Sequence, residues 1–316
     1  MTDTGSVFIF PGQGAQYVGM GADFLKEEWA REMWDEAGDI LGYDLNRIVM
    51  DGPAEELKRT EVTQPAVFMT EVVFYTALIK KGLKPSVTAG HSLGEYAAVV
   101  AAGVLKWQDG LELVKYRGEV FEQVAGRNPG GMFAVIGLDE ARLDEILKGI
   151  GGICEIVNYN SPGQLVVSTE KAVLDKAVSN VKENGAKMVV PLDVSGGFHS
   201  SLMDEAVTPM REKMASFEFR PPECMFFSNY TGDKVSDPEI LKENLIRQVN
   251  SPVKWTDIIE GIISEVPENT EFIEVGPGKV LQGLIRRINR KLKVKGVASL
   301  SDIDSLTLID SLTLEV

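Results

Sequence analysis

Short apolar segments alternate with longer segments of helical periodicity along most of the chain, and this order limits the folds open to it. The apolar run Val7–Phe10 ends in a Pro-Gly-Gln-Gly turn, and a second candidate strand, Ser86–Ala89, precedes an Ala- and Val-rich helix over Glu95–Leu105. The periodicity predicts further helices over residues 24–41, 64–80 and 107–124. Strands that alternate with helices predict an α/β fold, in which helices cover both faces of a parallel sheet.

The order of elements changes between residues 130 and 197. Strands are predicted over residues 132–136, 153–158, 165–168 and 187–192, and helices over 140–148 and 172–184. The turn Asn160–Gly163 closes a hairpin, so the order is βαββαβ, that of a ferredoxin-like unit. Gly130-Gly131 and Gly196-Gly197 are predicted hinges. We therefore expect a small ferredoxin-like subdomain, residues 130–197, inserted into a larger core formed by residues 1–129 and 198–316.

The remainder of the chain is predicted to continue the core. A strand is expected over Thr270–Val275 and a helix over Val280–Lys291. The segment Ile303–Leu308 is repeated as Ile309–Leu314, and two copies are too few for a solenoid. We expect a ragged tail or a terminal strand there, without a function.

Composition excludes several classes of protein. The net charge is −15, whereas a non-specific nucleic-acid or anionic-membrane binder needs a basic surface. The two cysteines and two histidines show no CxxC or HExxH spacing, so neither a disulfide framework nor a metal site is expected. No signal-peptide pattern opens the chain, and no apolar stretch approaches the ~18 residues of a membrane span. We expect a cytoplasmic protein with reduced thiols.

The segment Gly90-His91-Ser92-Leu93-Gly94 matches the pattern G-x-S-x-G between a candidate strand and a candidate helix. In a strand–turn–helix elbow of this kind, glycines relieve crowding and the serine hydroxyl is presented at the end of the sheet. The N–H groups at the start of the helix can then stabilise negative charge. Ser92 is therefore a predicted nucleophile, and the alternative is a plain glycine turn with a surface serine.

A serine nucleophile needs a base, and only His91 and His199 have a suitable pKa. His91 adjoins Ser92 on a tight turn, so its side chain is expected to point away from the hydroxyl and to be structural. His199 lies in a glycine-rich loop and is the predicted base, although it can also simply flank the next helix. No acidic residue identifies itself as the group that orients the imidazole, and a backbone or side-chain amide can do so instead.

No nucleotide cofactor is indicated. Gly12 and Gly14 follow a strand, but Tyr17 occupies the place of the third glycine in a dinucleotide-binding motif. Valine follows Gly278-Lys279, where a P-loop requires serine or threonine.

Five short motifs occur in order along the chain. They are Pro11-Gly12-Gln13-Gly14-Ala15-Gln16, Gly90-His91-Ser92-Leu93-Gly94-Glu95-Tyr96, Asn160-Ser161-Pro162-Gly163-Gln164, Phe198-His199-Ser200 and Glu274-Val275-Gly276-Pro277-Gly278. From about Val7 to Leu300, the chain resembles the malonyl-CoA:acyl-carrier-protein transacylases and the acyltransferase domains of polyketide synthases. The resemblance implies a hydrolase-like α/β core with an inserted ferredoxin-like subdomain, in agreement with the order of elements.

The resemblance also implies catalytic residues. Ser92 matches the nucleophile of the family and His199 its base, and Gln248 matches the glutamine whose main-chain carbonyl orients that histidine. Gln13 and Leu93 match the positions whose backbone N–H groups form the oxyanion hole.

Three further positions are implied to bind substrate. Arg117 matches the arginine that binds the malonyl carboxylate, a task suited to a planar bidentate donor, and the alternative is an exposed helix arginine. Phe198 is implied to leave no room for an α-methyl group, which favours malonyl over methylmalonyl. Asn160 opens the third motif and is assigned to the substrate site.

The implied reaction is a ping-pong transfer of malonyl from malonyl-CoA to the phosphopantetheine thiol of acyl carrier protein, through an ester on Ser92. It requires no metal and no redox cofactor. The alternatives are an acyltransferase that acts in trans for a polyketide assembly line, a serine thioesterase or esterase, and a silent scaffold that binds carrier proteins. Arg117 argues against the thioesterase, which needs no group to bind a carboxylate.

One segment is basic in this acidic chain. Seven basic residues and no acidic one lie between Pro277 and Ala298. Acyl carrier proteins are acidic, so we expect Arg286, Arg287 and Arg290, on the exposed face of the predicted helix, to bind the carrier. The alternative is a solvated helix face whose cations complement the helix dipole.

Overall fold

The protein, described over residues 5–313 by a computed structural model, contains two β-sheets. The strands are β1 Ser6–Phe10, β2 Pro85–Gly90, β3 Gly130–Ile136, β4 Cys154–Ser161, β5 Gln164–Glu170, β6 Met188–Pro191, β7 Met225–Phe227, β8 Phe272–Val275 and β9 Val294–Val297. The helices are α1 Glu28–Leu41, α2 Leu45–Asp51, α3 Ala54–Leu57, α4 Thr60–Lys80, α5 Gly94–Ala101, α6 Trp107–Arg127, α7 Glu140–Lys148, α8 Leu174–Glu183, α9 Asp204–Met214, α10 Pro238–Gln248, α11 Trp255–Glu265, α12 Val280–Ile288 and α13 Leu300–Thr313.

The first sheet has the strand order β7-β2-β1-β8-β9, and each neighbouring pair is parallel. Side chains of β1 alternate between its two faces. Phe8 and Phe10 belong to the apolar core that includes α4, α5 and α6, whereas Val7 and Ile9 pack with α11 and α12. A strand buried on both faces is typical of a parallel sheet covered by helices, so the predicted α/β core is confirmed.

The second sheet has the strand order β4-β5-β3-β6, and all its pairs are antiparallel. Its elements follow the predicted βαββαβ order, and α7 and α8 supply the apolar residues that pack against its strands. Strand β4 continues to Ser161, past the predicted end at residue 158, because the chain reverses only at Pro162-Gly163. Gly163 has a φ of 71°, which glycine adopts without strain.

Backbone contacts join the second sheet to the core. Val253 N donates to Val157 O at 2.9 Å, and Tyr159 N donates to Val253 O at 3.0 Å. The chain enters and leaves the second sheet at neighbouring points, since a Cβ atom on Gly130 would lie 2.8 Å from Gly197 N. The limits of the subdomain at residues 130 and 197 stay a prediction.

Two sequence-based predictions about the C-terminal region are wrong. The helix expected over 280–291 ends at Ile288, because Asn289 has extended backbone angles and its side chain accepts a hydrogen bond from Lys291 N. Arg290 therefore lies in a turn. The repeated tail is neither ragged nor a strand over the described residues: α13 covers it to Thr313, with Ile303 and Leu306 buried one turn apart, and residue 314 lies outside the described range.

Helix α4 is long and apolar enough to span a membrane by length and composition, contrary to the expectation that no stretch approaches this limit. In the fold, 83% of its most apolar window is buried within the protein. That burial is typical of the central helix of a globular core.

Candidate active site

Ser92 lies in a sharp turn between β2 and α5 and has a φ of 53°. Two glycines make this turn sterically possible. A Cβ atom on Gly90 would lie 2.0 Å from Gly94 C, and one on Gly94 would lie 2.2 Å from Phe10 O. A non-glycine residue with positive φ costs about 1–3 kcal/mol, so the surrounding structure must hold Ser92 in place. The strand–turn–helix elbow expected from G-x-S-x-G is present.

His199 approaches the serine from the loop before α9. Its Nε2 lies 2.7 Å from Ser92 Oγ, and its Nδ1 lies 2.8 Å from the main-chain oxygen of Gln248. Because a carbonyl oxygen only accepts, Nδ1 carries the proton and Nε2 is free to accept the serine proton. Burial, and next the charge of Arg117, lower the pKa of His199 to about 3, so the imidazole is neutral in the resting protein.

His91 is directed elsewhere. Its Nε2 lies 2.8 Å from Asn160 Oδ1, and its ring packs edge-on against Trp255. These contacts hold the loop of the elbow against β4, as expected for a structural histidine. Asn160, predicted to bind substrate, lines the cleft beside Ser92.

Arg117, on α6, is buried with a relative exposure of 1%. Its Nη1 donates to Gln64 Oε1 at 2.8 Å, and its Nη2 donates to Gln248 Oε1 at 3.0 Å and to Ser92 Oγ at 3.3 Å. The guanidinium stacks on Phe121 at 4.2 Å. No carboxylate among the side chains described, those of residues 5–306, forms an ion pair with Arg117. Glu95 is the nearby carboxyl that interacts with this charge, but it forms no direct ion pair with the guanidinium. A buried cation that makes no direct ion pair and is open to a cleft is a site for an anion.

Leu93 and Gln13 line the same cleft as the serine. Leu93 is the residue before α5, where backbone N–H groups have no carbonyl partner within the helix. Gly12 packs so closely on the elbow that a Cβ atom there would lie 2.5 Å from His91 O, and this contact places the loop that carries Gln13 against the elbow. Both residues line the cleft, as an oxyanion hole at this position would require.

The cleft has a volume of about 250 Å³ and is lined by both sheets and α12. Phe198 forms part of its wall and packs on Phe121, with ring centroids 4.9 Å apart. The main chain of Phe198 is fixed by a hydrogen bond from Ser168 Oγ to Phe198 O at 2.6 Å. The two rings make this wall apolar, and the Arg117 guanidinium lies over the Phe121 ring.

The three arginines predicted to bind a carrier lie outside the cleft. Arg286 and Arg287 are exposed at the C-terminal end of α12, and Arg290 is exposed in the turn that follows. The first residues of α12, Val280, Leu281 and Leu284, line the cleft. Arg286 and Arg287 therefore lie on the same helix as one edge of the cleft mouth, and Arg290 lies in the turn that follows it.

Three buried polar residues of the site were missed from the sequence. They are Gln64, Glu95 and Asn229, and each contacts Ser92, Arg117 or Gln248. Burial raises the pKa of Glu95 to about 7, and hydrogen bonds from Gln248 and Asn229 oppose this rise. A signal was available for Glu95, which is a lone charge among Ala and Val at the start of α5. Gln64 and Asn229 belong to no spacing pattern.

Comparison with known proteins supports an acyltransferase. The family described as Acyl transferase domain matches residues 7–312. The chain is 40% identical over 302 residues to the malonyl CoA-acyl carrier protein transacylase of Staphylococcus aureus (strain COL), and the match covers 94% of this chain and 97% of the relative.

Two solved structures show the same fold. An acyl carrier protein S-malonyltransferase from Vibrio cholerae O1 biovar eltor has a TM-score of 0.90 and 38% identity, covering 95% of this chain and 99% of that one. A malonyl-transacylase in complex with its type II PKS acyl-carrier protein has a TM-score of 0.90 and 36% identity, covering 95% and 98%. The chain therefore belongs to the acyl transferase domain family, among the malonyl-CoA:acyl-carrier-protein transacylases.

Proposed function

We propose that this acyltransferase moves a malonyl group from CoA to the phosphopantetheine thiol of an acyl carrier protein through an ester on Ser92. One observation carries the proposal: the buried guanidinium of Arg117 lies 3.3 Å from the serine hydroxyl and forms no direct ion pair with a carboxylate among the described side chains. In a malonyl thioester, the free carboxylate is two bonds from the carbonyl carbon. An acyl group attacked at Ser92 thus carries its carboxylate to Arg117, where a bidentate pair selects it.

The first half-reaction forms the serine ester. Ser92 Oγ attacks the thioester carbon while His199 Nε2 takes its proton, and Gln248 O keeps the imidazole in the required tautomer. The N–H groups of Leu93 and Gln13 stabilise the tetrahedral oxyanion. The carbon–sulfur bond then breaks, and the CoA sulfur leaves with the proton from His199.

The second half-reaction reverses these steps with a new thiol. His199 takes the proton of the phosphopantetheine thiol, and the sulfur attacks the ester carbon. The tetrahedral intermediate expels Ser92 Oγ, which recovers its proton from His199. The product is the malonyl thioester of the carrier, and the residues need neither a metal nor a redox cofactor for any step.

The partner surface is proposed to be the C-terminal end of α12 and the turn after it. Arg286, Arg287 and Arg290 are exposed there, in a chain whose net charge of −15 would otherwise repel an acidic carrier. The partner is supported by the names of the relatives, one of which is a transacylase in complex with a carrier. We further propose that the protein works in the cytoplasm, where its free thiols Cys154 and Cys224 would stay reduced.

The acceptor separates this function from its alternatives. The protein is incubated with malonyl-CoA labelled in the malonyl group, and then receives either holo acyl carrier protein or buffer alone. We expect the label to move to the carrier and to remain on the protein in buffer. Release of free malonate in buffer at the same rate would indicate a thioesterase, and absence of label from both protein and carrier would indicate a silent scaffold.

A further inference from the structure

Asn229 lies in the loop after β7 and is completely buried. Its side chain spans the elbow from one side to the other. Oδ1 accepts a hydrogen bond from Ser92 N at 2.7 Å, and Nδ2 donates to Gly90 O at 2.6 Å. One side-chain amide therefore forms hydrogen bonds with both the N–H group of Ser92 and the carbonyl oxygen of Gly90.

This arrangement meets a specific need of the elbow. Ser92 adopts a φ of 53°, which is unfavourable for a residue with a side chain, and its N–H points away from the regular hydrogen bonds of strand and helix. An amide has one acceptor and one donor at fixed separation, so it matches the N–H of Ser92 and the carbonyl of Gly90 together. An ionised aspartate has no donor for Gly90 O, and alanine has no polar group. The single hydroxyl oxygen of serine lies one atom closer to the main chain, so it cannot reach both partners.

The backbone of Asn229 is itself held by the other residues of the site. Asn229 N donates to Glu95 Oε1 at 3.0 Å, and Gln248 Nε2 donates to Glu95 Oε2 at 2.6 Å. Gln248 Nε2 also donates to Ser92 O at 2.8 Å, and Gln248 O orients His199. One buried network thus fixes the backbone of the nucleophile and the carbonyl that holds the base.

We propose that Asn229 is a positioning residue, which holds the strained backbone of Ser92 so that Oγ stays within hydrogen-bond distance of His199 Nε2. The proposal rests on the proposed function only in taking Ser92 as the nucleophile. It is independent of the acyl group that is transferred and of the carrier.

The substitution Asn229→Asp tests this position through its pH dependence. The protonated carboxyl has the shape of the amide and can donate to Gly90 O, whereas the carboxylate places a second acceptor against that oxygen. Glu95 is the charged group that faces residue 229 directly, and Arg117 and His199 reach it through Gln248 and Ser92. Burial favours the protonated form across the pH range, and Glu95, whose own pKa is raised to about 7, adds to this effect where it is ionised. The variant should therefore recover as the pH falls.

The measurement is the rate at which Ser92 is labelled by a fluorophosphonate probe, expressed as a ratio to wild type at each pH from 5.5 to 8. We expect Asn229→Asp to be about 10- to 100-fold slower at pH 8 and to recover several-fold at pH 5.5, because a misplaced nucleophile loses about this much rate. Rates with malonyl-CoA and acetyl-CoA should fall by the same factor. Asn229→Ser, which cannot form both bonds in any protonation state, should be slow at every pH.

Asn244→Asp provides a matched control, since Asn244 is also buried and no hydrogen bond joins its side chain to Ser92 or Gly90. Its ratio to wild type should not change with pH, even if its melting temperature falls. The proposal is overturned if folded Asn229→Asp and Asn229→Ser label Ser92 at the wild-type rate, or if the ratio for Asn229→Asp is flat with pH. Failure of the probe to label wild-type Ser92 would instead contradict the proposed function.

Discussion

Ser92 and His199 are the only non-glycine residues in the described range 5–313 with positive φ, at 53° and 61°. Their side chains form the 2.7 Å contact at the centre of the site. Each strained conformation costs about 1–3 kcal/mol and persists only where neighbouring groups hold it. Here the holding groups are identified: Asn229 for Ser92, and the main-chain oxygen of Gln248 for the imidazole of His199.

Replacement of Ser92 or His199 by alanine should abolish the covalent malonyl-enzyme. Because the two side chains act as a unit, we expect each change to reduce acylation by about 10³-fold or more. His91→Ala is the matched comparison, and it should slow acylation far less, since His91 contacts Asn160 and Trp255. Rapid-quench measurement of labelled protein checks this order. A larger effect of His91→Ala than of His199→Ala would show that the base is assigned wrongly.

Arg117→Ala should change selectivity more than reactivity. Loss of a buried bidentate pair with the malonyl carboxylate costs about 2–5 kcal/mol in kcat/KM for malonyl-CoA. Acetyl-CoA has no second carboxylate, so its kcat/KM should be unchanged or higher. The two constants are measured with the same carrier for wild type and variant. An equal loss with both substrates would refute the assignment of Arg117 to the carboxylate.

Motifs located the residues proposed to react but not the buried polar residues that contact them. G-x-S-x-G and the scarcity of histidine are local signals, and they suffice to find Ser92 and His199. Asn229 and Gln64 reach the site only through the packing of distant loops and helices, and an isolated amide has no sequence pattern. The hydrogen bonds of such residues follow from tertiary structure alone.

At the scale of elements, α4 carries a buried acid that the proposed mechanism does not use. Glu71 is completely buried, and neither of its carboxyl oxygens has a hydrogen-bond partner among the described residues. Burial, and next the charge of Glu274, raise the pKa of Glu71 well above its ordinary value. The folded protein therefore keeps a proton on Glu71 that the unfolded chain loses above about pH 4.5.

This difference predicts a pH-dependent effect of Glu71→Gln on stability. Between the pKa of the unfolded chain and that of the folded protein, each pH unit lowers the free energy of unfolding of wild type by about 1.4 kcal/mol. Glutamine cannot ionise, so the stability of the variant relative to wild type should rise as the pH increases above 5, by at most about 1.4 kcal/mol per pH unit. Urea unfolding measures the difference, with exposed Glu32→Gln as control. A difference that stays constant with pH would contradict the prediction.

The α12 region is the predicted carrier surface. Reversal of Arg286, Arg287 and Arg290 to glutamate should raise KM for the carrier and leave formation of the malonyl-enzyme from malonyl-CoA unchanged. A matched control reverses the exposed Lys26, Lys148 and Lys182, which changes the net charge equally. If both triple variants raise the carrier KM to the same extent, the effect is one of net charge and docking lies elsewhere.

Long, regular elements were predictable from periodicity, whereas their ends and the short elements were not. Helices α2 and α3 have seven and four residues, too few for a periodic pattern. The end of α12 depends on the turn at Asn289, and α13 was mistaken because a repeat of six residues gives no clear helical or strand period. The ends of these helices and the presence of the short helices depend on local turns and on tertiary packing.

At the scale of the whole molecule, the cleft lies where two sheets meet. The parallel sheet supplies Ser92 and Leu93 from the end of β2, and the antiparallel sheet supplies Asn160 and Val166. Both architectures were predictable from the order of elements. The contact of β4 with Val253 that joins them was not, because it pairs residues almost 100 positions apart.

The net charge of −15 makes the protein as a whole repel an acidic carrier. If a local basic surface overcomes the general repulsion of an acidic carrier, added salt should screen that attraction within about 8–10 Å. We expect the wild-type KM for the carrier to rise between 0.05 and 0.3 M salt, with little change in KM for malonyl-CoA. Steady-state kinetics at fixed pH measure both constants. A carrier KM that does not respond to salt would exclude electrostatic docking.

In the proposed reaction, malonyl passes from CoA to the carrier through an ester on Ser92. The most direct measurement mixes the protein with malonyl-CoA alone, removes free nucleotide, and locates the added mass by peptide mass spectrometry. Holo acyl carrier protein is then added and the loss of the adduct is timed. We expect one malonyl group on the Ser92 peptide, discharged to the carrier at least as fast as steady-state turnover. An adduct on another residue, or turnover faster than discharge, would contradict it.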